Sequence, residues 1–239
     1  MMIKKNNFSK NDFILTRTPH RVSFFGGGTD LESFYKKSNG ITFSTAINKY
    51  VYVGVKRHTN FFDERFRIVY SETELQNDIS KIKNDIVRET LNFCNFIDPL
   101  YISSISDLPS GSGLGSSSAF TVGLLKGIYR LMNIKKKNIQ LAEEACEIEI
   151  NRLKKPIGKQ DQYACALGDV NLIKYYPSGF VSIKKNNNIR KFIKKILSNS
   201  LFIYTGISRE SSFILNDQNR KIKNQFIEEE MLQIKDICQ

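Results

Sequence analysis

The segment LPSGSGLGSSSA, residues 108–119, is the stretch from which the fold of this sequence can be inferred. It follows a strand-like run at 101–106 and leads into a run at 117–131 that predicts a buried helix. Glycines let backbone N–H groups approach an anion without interference from a Cβ atom, and a helix N-terminus offers unpaired donors. Serine hydroxyls can donate to phosphate oxygens or bind Mg²⁺. The segment therefore predicts a phosphate-binding loop.

The loop departs from two common phosphate-binding motifs. No lysine follows its last glycine, as the GxxxxGK loop requires, and it does not match GxGxxG followed by an acidic residue for a ribose hydroxyl. A flexible linker is the alternative, which the short length, the flanking elements and the apolar Leu114 disfavour. The residues expected to bind phosphate are Pro109, Ser110, Gly111, Ser112, Gly113, Leu114, Gly115, Ser116, Ser117 and Ser118.

A second cluster, TRTPHRVSFFGGGTD, occupies residues 16–30. Its three consecutive glycines would let a ligand touch the backbone, and Asp30 could accept hydrogen bonds from sugar hydroxyls. Arg17 and Arg21 are candidate anion-binding residues. The alternative is a glycine-rich β-turn with a capping aspartate.

A third cluster consists of Glu149 and the segment PIGKQDQY at 156–163. A carboxylate in a turn flanked by amides and a lysine could serve as a base. The alternative is a helix-start carboxylate beside an exposed lysine.

Composition narrows the class of protein. The chain has 239 residues, of which 41% are hydrophobic, enough for a sizeable core. No stretch approaches the roughly 20 apolar residues that span a bilayer, and the first residues lack a secretory apolar region. Four dispersed cysteines without a CxxC pair, and two histidines, disfavour a structural zinc site. A cytoplasmic protein with reduced thiols is expected.

The net charge of +12 permits a nucleic acid, an anionic membrane or an anionic small substrate as partner. Lysines are abundant everywhere, even in the featureless segment 183–195, and no aromatic-basic ribbon for stacking bases is present. We therefore expect a small anionic substrate, with neither nucleic acid nor membrane as partner. Nothing in the sequence sets an oligomeric state.

Strands mixed with helices, without strict alternation, predict an α+β fold. The basic segment 184–195 is the best candidate for a surface excursion or a boundary between lobes, and the last stretch, 216–237, has weak helical periodicity. The predicted strands are 21–25, 41–47, 50–56, 66–71, 101–106, 170–174 and 201–205. The predicted helices are 79–97, 117–131, 138–153 and 159–167.

Together the three clusters resemble the motifs of the GHMP kinases, in the same order along the chain. The resemblance extends from about residue 16 to residue 215. It implies an N-terminal ATP-binding lobe at 1–185, similar to domain 2 of ribosomal protein S5, and the beginning of a ferredoxin-like lobe at 186–239. The family carries a third glycine-rich motif near its C-terminus that this sequence lacks, so a fragment or a truncated gene product is expected.

The resemblance also implies roles for individual residues. The loop would bind the triphosphate of ATP, and Ser117 and Glu149 would hold Mg²⁺. Asp161 would take or orient the proton of the attacking hydroxyl, and Arg21 would stabilise charge near Asp161 and the transferring phosphoryl group. The residues expected to bind the substrate are Arg17, Gly26, Gly27, Gly28, Thr29, Asp30, Gly158, Lys159 and Arg209.

The GGGTDL turn at 26–31 is similar to that of the branch acting on heptose 7-phosphate. This implies phosphorylation of the anomeric hydroxyl of that sugar phosphate, toward a nucleotide-activated heptose for surface polysaccharide. Fucose-type and galactokinase-like activities are alternatives within the family. A non-catalytic nucleotide-binding relic and an RNA-binding module are alternatives outside it, which the Ser117, Glu149 and Asp161 set and the absence of a base-stacking ribbon disfavour.

Overall fold

The computed structural model describes residues 12–203, 206, 211–223 and 227–238. In this part of the chain seven strands form a single sheet with the order β4-β3-β5-β2-β6-β7, and β1 pairs with β2 off that path. The strands are β1 (Phe13–Phe25), β2 (Gly40–Arg57), β3 (Phe66–Val69), β4 (Thr73–Gln76), β5 (Leu100–Ser106), β6 (Val170–Tyr175) and β7 (Val181–Lys184).

Helices cover the sheet and connect its strands, which confirms the expected α+β class. The helices are α1 (Glu32–Tyr35), α2 (Asp85–Phe93), α3 (Ser116–Leu131), α4 (Asn138–Cys146), α5 (Gln160–Leu167), α6 (Asn187–Ser198), α7 (Ser211–Lys223) and α8 (Glu228–Ile237). A 3-10 turn, Ile79–Lys81, precedes α2, and α4 continues into a π-helical segment, Glu147–Arg152. None of the described helices is long and apolar enough to cross a membrane.

Strand β2 organises the sheet. Its C-terminal half pairs with β1 and β5, and its N-terminal half pairs with β1 and β6. The prediction of two strands at 41–47 and 50–56 was therefore wrong. The polar Asn48 and Lys49 lie opposite the register shift between Pro19 and Arg21 of β1, where their side chains remain exposed without ending the strand.

Helix α3 packs closely on β1 and β2 because two of its residues have no side chain. A Cβ atom on Gly123 would lie 2.9 Å from Thr18 Oγ1, and one on Gly127 would lie 2.8 Å from Val55 Cγ2. The Thr16 hydroxyl donates a hydrogen bond to the Gly123 carbonyl at 3.0 Å. This contact fixes the depth of α3, and with it the position of the loop that precedes the helix.

We expect Gly123→Val to lower the free energy of unfolding by about 1–3 kcal/mol, the usual range for overpacking a close contact. Lys126→Val, at an exposed position of the same helix, is the matched control and should cost well under about 1 kcal/mol, since only helix propensity changes. Urea unfolding curves of both variants provide the measurement. Equal losses in the two variants would contradict the packing role of Gly123.

Local capping explains where two predicted helices differ from the observed ones. The predicted helix 79–97 is a 3-10 turn followed by α2, because the Asn84 side chain accepts a hydrogen bond from the Val87 N–H at 3.0 Å and starts a new helix. Asn95, with a φ of 49°, then lies beyond the end of that helix. The predicted helix 138–153 changes to π-helical hydrogen bonding after Cys146.

The structure adds elements to the last third of the chain. The basic segment 184–195, expected as a surface excursion, forms most of the exposed helix α6, and the predicted lobe boundary at 185/186 falls between β7 and α6. Residues 201–203 of the predicted strand 201–205 are exposed and outside any strand, and 204–205 lie outside the described residues. Within the weakly periodic stretch 216–237, residues 216–223 belong to α7 and residues 228–237 to α8. Ile222 and Met231 of these helices pack on Leu31 and Phe34.

Candidate active site

One cleft of about 800 Å³ brings the three sequence clusters together. It lies at the N-terminus of α3, beside the end of β1 and the start of α5. The second cluster contributes Arg21, Ser23, Gly27, Gly28 and Asp30, the loop contributes Ser110, Gly111 and residues 113–118, and the third cluster contributes Gly158, Gln160 and Asp161.

The glycine-serine loop presents its backbone to this cleft. Gly111, Gly113 and Gly115 all have positive φ angles, of 74°, 73° and 78°, a conformation that side-chain-bearing residues rarely adopt. A Cβ atom on Gly113 would have nothing within 4 Å, so this residue faces open space. Gly115 is the N-cap of α3 and provides no side-chain cap, which leaves the first N–H groups of the helix available to an anion.

Arg21 reaches the cleft from the last part of β1, after the register shift that follows Pro19. Along the strand, Thr16, Thr18 and His20 are buried while Arg17 is exposed. The guanidinium of Arg21 points to the loop, where Nη1 donates to the Gly113 carbonyl at 2.7 Å.

Asp161 lies in the first turn of α5 and pairs with Arg21. Arg21 Nε and Nη2 donate to Asp161 Oδ1 and Oδ2, each at 2.7 Å, in a bidentate arrangement. Burial lowers the pKa of Arg21, but the charge and hydrogen bonds of Asp161 together with the other nearby acidic groups outweigh it, and the net shift of the pKa is upward. The side chain of Asp161 is 30% exposed, so its carboxylate remains accessible from the cleft.

Glu149 is a fully buried carboxylate in the π-helical segment, a kind of irregularity that is frequent at functional sites. Its Oε1 accepts a hydrogen bond from Ser117 Oγ at 2.6 Å, and its Oε2 accepts bonds from Ser118 Oγ at 2.8 Å and Gln162 Nε2 at 2.9 Å. Burial raises the pKa of Glu149, against the opposing effect of these donors and of Lys155. The carboxylate is thus tied to the first turn of α3.

Lys155 lines the cleft and was not singled out by the sequence analysis. Its Nζ lies 3.4 Å from Ser117 Oγ and 3.9 Å from Glu149 Oε1. In the sequence the residue marks only the end of a helix before Pro156. The signal that could have identified Lys155 is its position in the sequence between the two candidate carboxylates, Glu149 and Asp161.

Asp30 joins the second cluster to the third. Its side chain accepts hydrogen bonds from the N–H groups of Gly28 at 3.0 Å and Gln160 at 2.9 Å. Burial raises the pKa of Asp30, while these donors act in the opposite direction. Gly158 is required beside it, because a Cβ atom there would collide with Asp30 Oδ2. The aspartate therefore positions the start of α5, where Asp161 lies.

Four residues expected to bind the substrate do not line this cleft. Arg17 is exposed on β1 with its guanidinium 4.5 Å from the centre of the Tyr50 ring. Lys159 lines a separate cavity of about 270 Å³ and donates from Nζ to the Gly179 carbonyl at 3.0 Å.

The other two of these residues belong to the glycine turn itself. Thr29 is fully buried, and its hydroxyl donates to the carbonyls of Gly26 and Ile41. Gly26 is also buried, and a Cβ atom there would collide with the Ile41 carbonyl. Both residues stabilise the turn, while Gly27 and Gly28 line the cleft. Arg209 lies outside the described residues.

Comparison with known proteins finds a family model and two relatives that are similar to this chain. Residues 79–169 match the family model of the GHMP kinases N terminal domain. A D-glycero-alpha-D-manno-heptose 7-phosphate kinase of Campylobacter jejuni is 29% identical over 93% of this chain and 68% of its own length. A galactokinase of Pyrococcus furiosus is 24% identical over a region that covers 82% of this chain and 54% of that enzyme. This chain therefore spans about half the length of the galactokinase.

A solved structure agrees with the fold. The crystal structure of a D-glycero-D-manno-heptose 1-phosphate kinase from Bacteroides thetaiotaomicron superposes with a TM-score of 0.65 and 21% identity. The match covers 92% of this chain and 76% of that protein. The resemblance inferred from the three sequence clusters is confirmed by the match of residues 79–169 to the family model, and the solved structure agrees with the expected fold.

Proposed function

This chain carries the N-terminal domain of the GHMP kinases, and on that premise we propose that it transfers the γ-phosphate of ATP to the anomeric hydroxyl of D-glycero-D-manno-heptose 7-phosphate. The observation that carries the proposal is one cleft in which a backbone-lined phosphate loop faces a bidentate Arg21–Asp161 pair. The name of the Campylobacter jejuni relative supports the choice of sugar.

In this proposal the loop at 109–118 binds the triphosphate. Phosphoryl transfer depends mainly on positioning and on neutralising charge, with little covalent help from the protein. The three left-handed glycines and the uncapped start of α3 provide backbone donors for the phosphate oxygens. The hydrogen bond from Arg21 to the Gly113 carbonyl links this loop to the residues at the acceptor hydroxyl.

Ser117 and Glu149 have the donor chemistry that Mg²⁺ prefers, a hydroxyl and a carboxylate oxygen that lie 2.6 Å apart. Within the described residues no group of three His, Cys, Asp or Glu side chains could hold a metal ion by itself. This agrees with Mg²⁺ sites that take most of their ligands from phosphates and water. When bound there, the ion would neutralise charge on the phosphates.

Asp161 is proposed to orient the sugar hydroxyl and accept its proton. Both carboxylate oxygens are held by Arg21, and each keeps a second lone pair for the hydroxyl. Arg21 lies between this carboxylate and the loop. Its charge can therefore stabilise the phosphoryl group as it passes from ATP at the loop to the sugar hydroxyl at Asp161. The alternative of a simple helix-start carboxylate does not explain why Asp161 pairs with an arginine that also donates to the Gly113 carbonyl of the loop.

The division into lobes at 1–185 and 186–239 and a cytoplasmic location belong to the same proposal. Helix α7 contributes Leu215 and Gln218 to the cleft wall, which supports a sugar site shared between the two lobes. All four cysteines are free thiols, in agreement with a reducing compartment that also supplies ATP.

We expect Gly113→Val to reduce ATP affinity by roughly tenfold or more, since a side chain would displace the phosphates from backbone donors worth about 1.5–3 kcal/mol each. Gly179→Val is the matched control: Gly179 also has a positive φ, 87°, and only Lys159 Nζ lies near its Cβ position, at 4.0 Å. Isothermal titration with a non-hydrolysable ATP analogue measures both variants. Unchanged affinity in Gly113→Val would remove the loop from the nucleotide site.

The direct test of function is the release of ADP from ATP and Mg²⁺ in the presence of candidate acceptors. Heptose 7-phosphate should be the preferred acceptor, ahead of galactose and fucose at equal concentration. Preference for galactose or fucose would assign the chain to another branch of the family. Binding of ATP without turnover of any acceptor would favour a non-catalytic nucleotide-binding protein.

A further inference from the structure

The ammonium group of Lys155 lies among three oxygen atoms at the edge of the cleft. Its Nζ is 3.4 Å from Ser117 Oγ, 3.9 Å from Glu149 Oε1 and 3.9 Å from Asp85 Oδ2. All three distances exceed the roughly 2.7–2.9 Å of a short charge-assisted hydrogen bond. Lys155 is therefore near each of these groups without being tightly bound to any of them.

The charge of Lys155 matters because Glu149 is fully buried. The other partners of this carboxylate, Ser117, Ser118 and Gln162, are neutral donors. A buried carboxylate without a counter-charge is costly, and hydrogen bonds from neutral groups offset that cost only in part. Lys155 supplies the missing positive charge from a side chain that is 25% exposed and has a flexible four-carbon stem.

A divalent cation bound by Glu149 and Ser117 would use the same two oxygen atoms that the Lys155 ammonium now approaches. Two cations cannot share this position without strong repulsion. The ammonium would then have to move, and the cleft offers it a new partner, because Lys155 lines the same wall as the phosphate loop.

We propose that Lys155 exchanges partners when the nucleotide binds: it balances the charge of Glu149 in the free protein and contacts nucleotide phosphate once a divalent cation takes its place. This inference rests on the proposed function, because it requires that the loop bind phosphates. It adds to that function a residue, Lys155, that lies beside Glu149 in the free protein and contacts phosphate when the nucleotide is bound.

The test compares Lys155→Met with Lys155→Arg and with Lys154→Met, which removes the same charge from the adjacent exposed residue. Thermal unfolding is measured in EDTA and in MgCl₂ without nucleotide, and the affinity for ADP in MgCl₂ is measured by titration calorimetry. Lys155→Met should gain more thermal stability from Mg²⁺ than the wild type does, because the competing cation is gone. It should also lose roughly tenfold to a hundredfold in ADP affinity, as expected for one lost charged hydrogen bond.

Partner exchange predicts that Lys155→Met gains more stability from Mg²⁺ and loses ADP affinity. A purely structural role does not predict changes in opposite directions. Lys155→Arg and Lys154→Met should resemble the wild type in both measurements. If Lys155→Met responds to Mg²⁺ as the wild type does, or loses both Mg²⁺ response and ADP affinity, the partner exchange is wrong. If the wild type itself fails to bind ADP, the proposed kinase function is wrong and this inference falls with it.

Discussion

Asp161→Asn is expected to lower kcat by roughly a hundredfold to ten thousandfold, the usual range for loss of a general base. The amide has nearly the shape of the carboxylate but cannot accept the proton of the sugar hydroxyl. Arg21 keeps its hydrogen bond to the Gly113 carbonyl, so the loop should remain in place and ATP affinity should be largely retained. Steady-state ADP release with heptose 7-phosphate gives kcat, and calorimetry gives the ATP affinity.

Asp98→Asn is the matched control for this experiment. Asp98 also accepts a hydrogen bond from an arginine, Arg57, but it does not line the cleft. Its substitution removes one Asp–Arg pair without touching the proposed acceptor site, so kcat should be unchanged. Near-normal turnover of Asp161→Asn would mean that Asp161 is only a carboxylate at the start of α5.

The sequence was sufficient to find the parts of the site that depend on local structure. The glycine-serine loop was predicted because glycines and serines directly before an apolar helix provide backbone and hydroxyl donors for an anion. The structure adds that three of its glycines are left-handed and that Gly113 faces open space. The roles of Asp161 and Glu149 were identified through the family resemblance, and the structure pairs Asp161 with Arg21 and Glu149 with the first turn of α3.

The direction of a long basic side chain could not be predicted in the same way. Arg17 and Arg21 are four residues apart on one strand, yet Arg17 lies over the Tyr50 ring and Arg21 donates to the Gly113 carbonyl of the loop. Lys155 and Lys159 lie on the same connection before α5, yet one lines the cleft and the other points to the Gly179 carbonyl. These outcomes depend on tertiary packing and on bulges that leave no periodic signal in the sequence.

Short edge elements were missed for a related reason. Strands β4 and β7 have four residues each, and their identity as strands comes from pairing with β3 and β6 rather than from their own composition. Their omission did not affect the predicted site, because the cleft lies around β1, α3 and α5 and is lined by neither of these strands.

Glu149→Gln is expected to raise the Mg²⁺ concentration required for half-maximal activity by roughly tenfold or more, because a neutral amide is a much weaker ligand than a carboxylate for a hard cation. The fold should tolerate the change. Ser117 and Ser118 have hydroxyls that can rotate to accept from the new amide as well as donate to it. Gln162 can still donate to the amide oxygen. ADP release as a function of Mg²⁺ concentration provides the measurement.

Thermal unfolding in EDTA separates loss of a metal ligand from damage to the fold. Without a cation, the wild type keeps a buried carboxylate that only Lys155 balances, whereas the glutamine carries no charge to desolvate. Glu149→Gln should therefore be at least as stable as the wild type in EDTA and should gain less from Mg²⁺. Glu144 of α4 pairs with Lys136 and does not line the cleft. Glu144→Gln should therefore leave the Mg²⁺ requirement unchanged. A wild-type Mg²⁺ curve for Glu149→Gln would mean that the buried carboxylate only anchors α3, and that the nucleotide carries its metal without this residue.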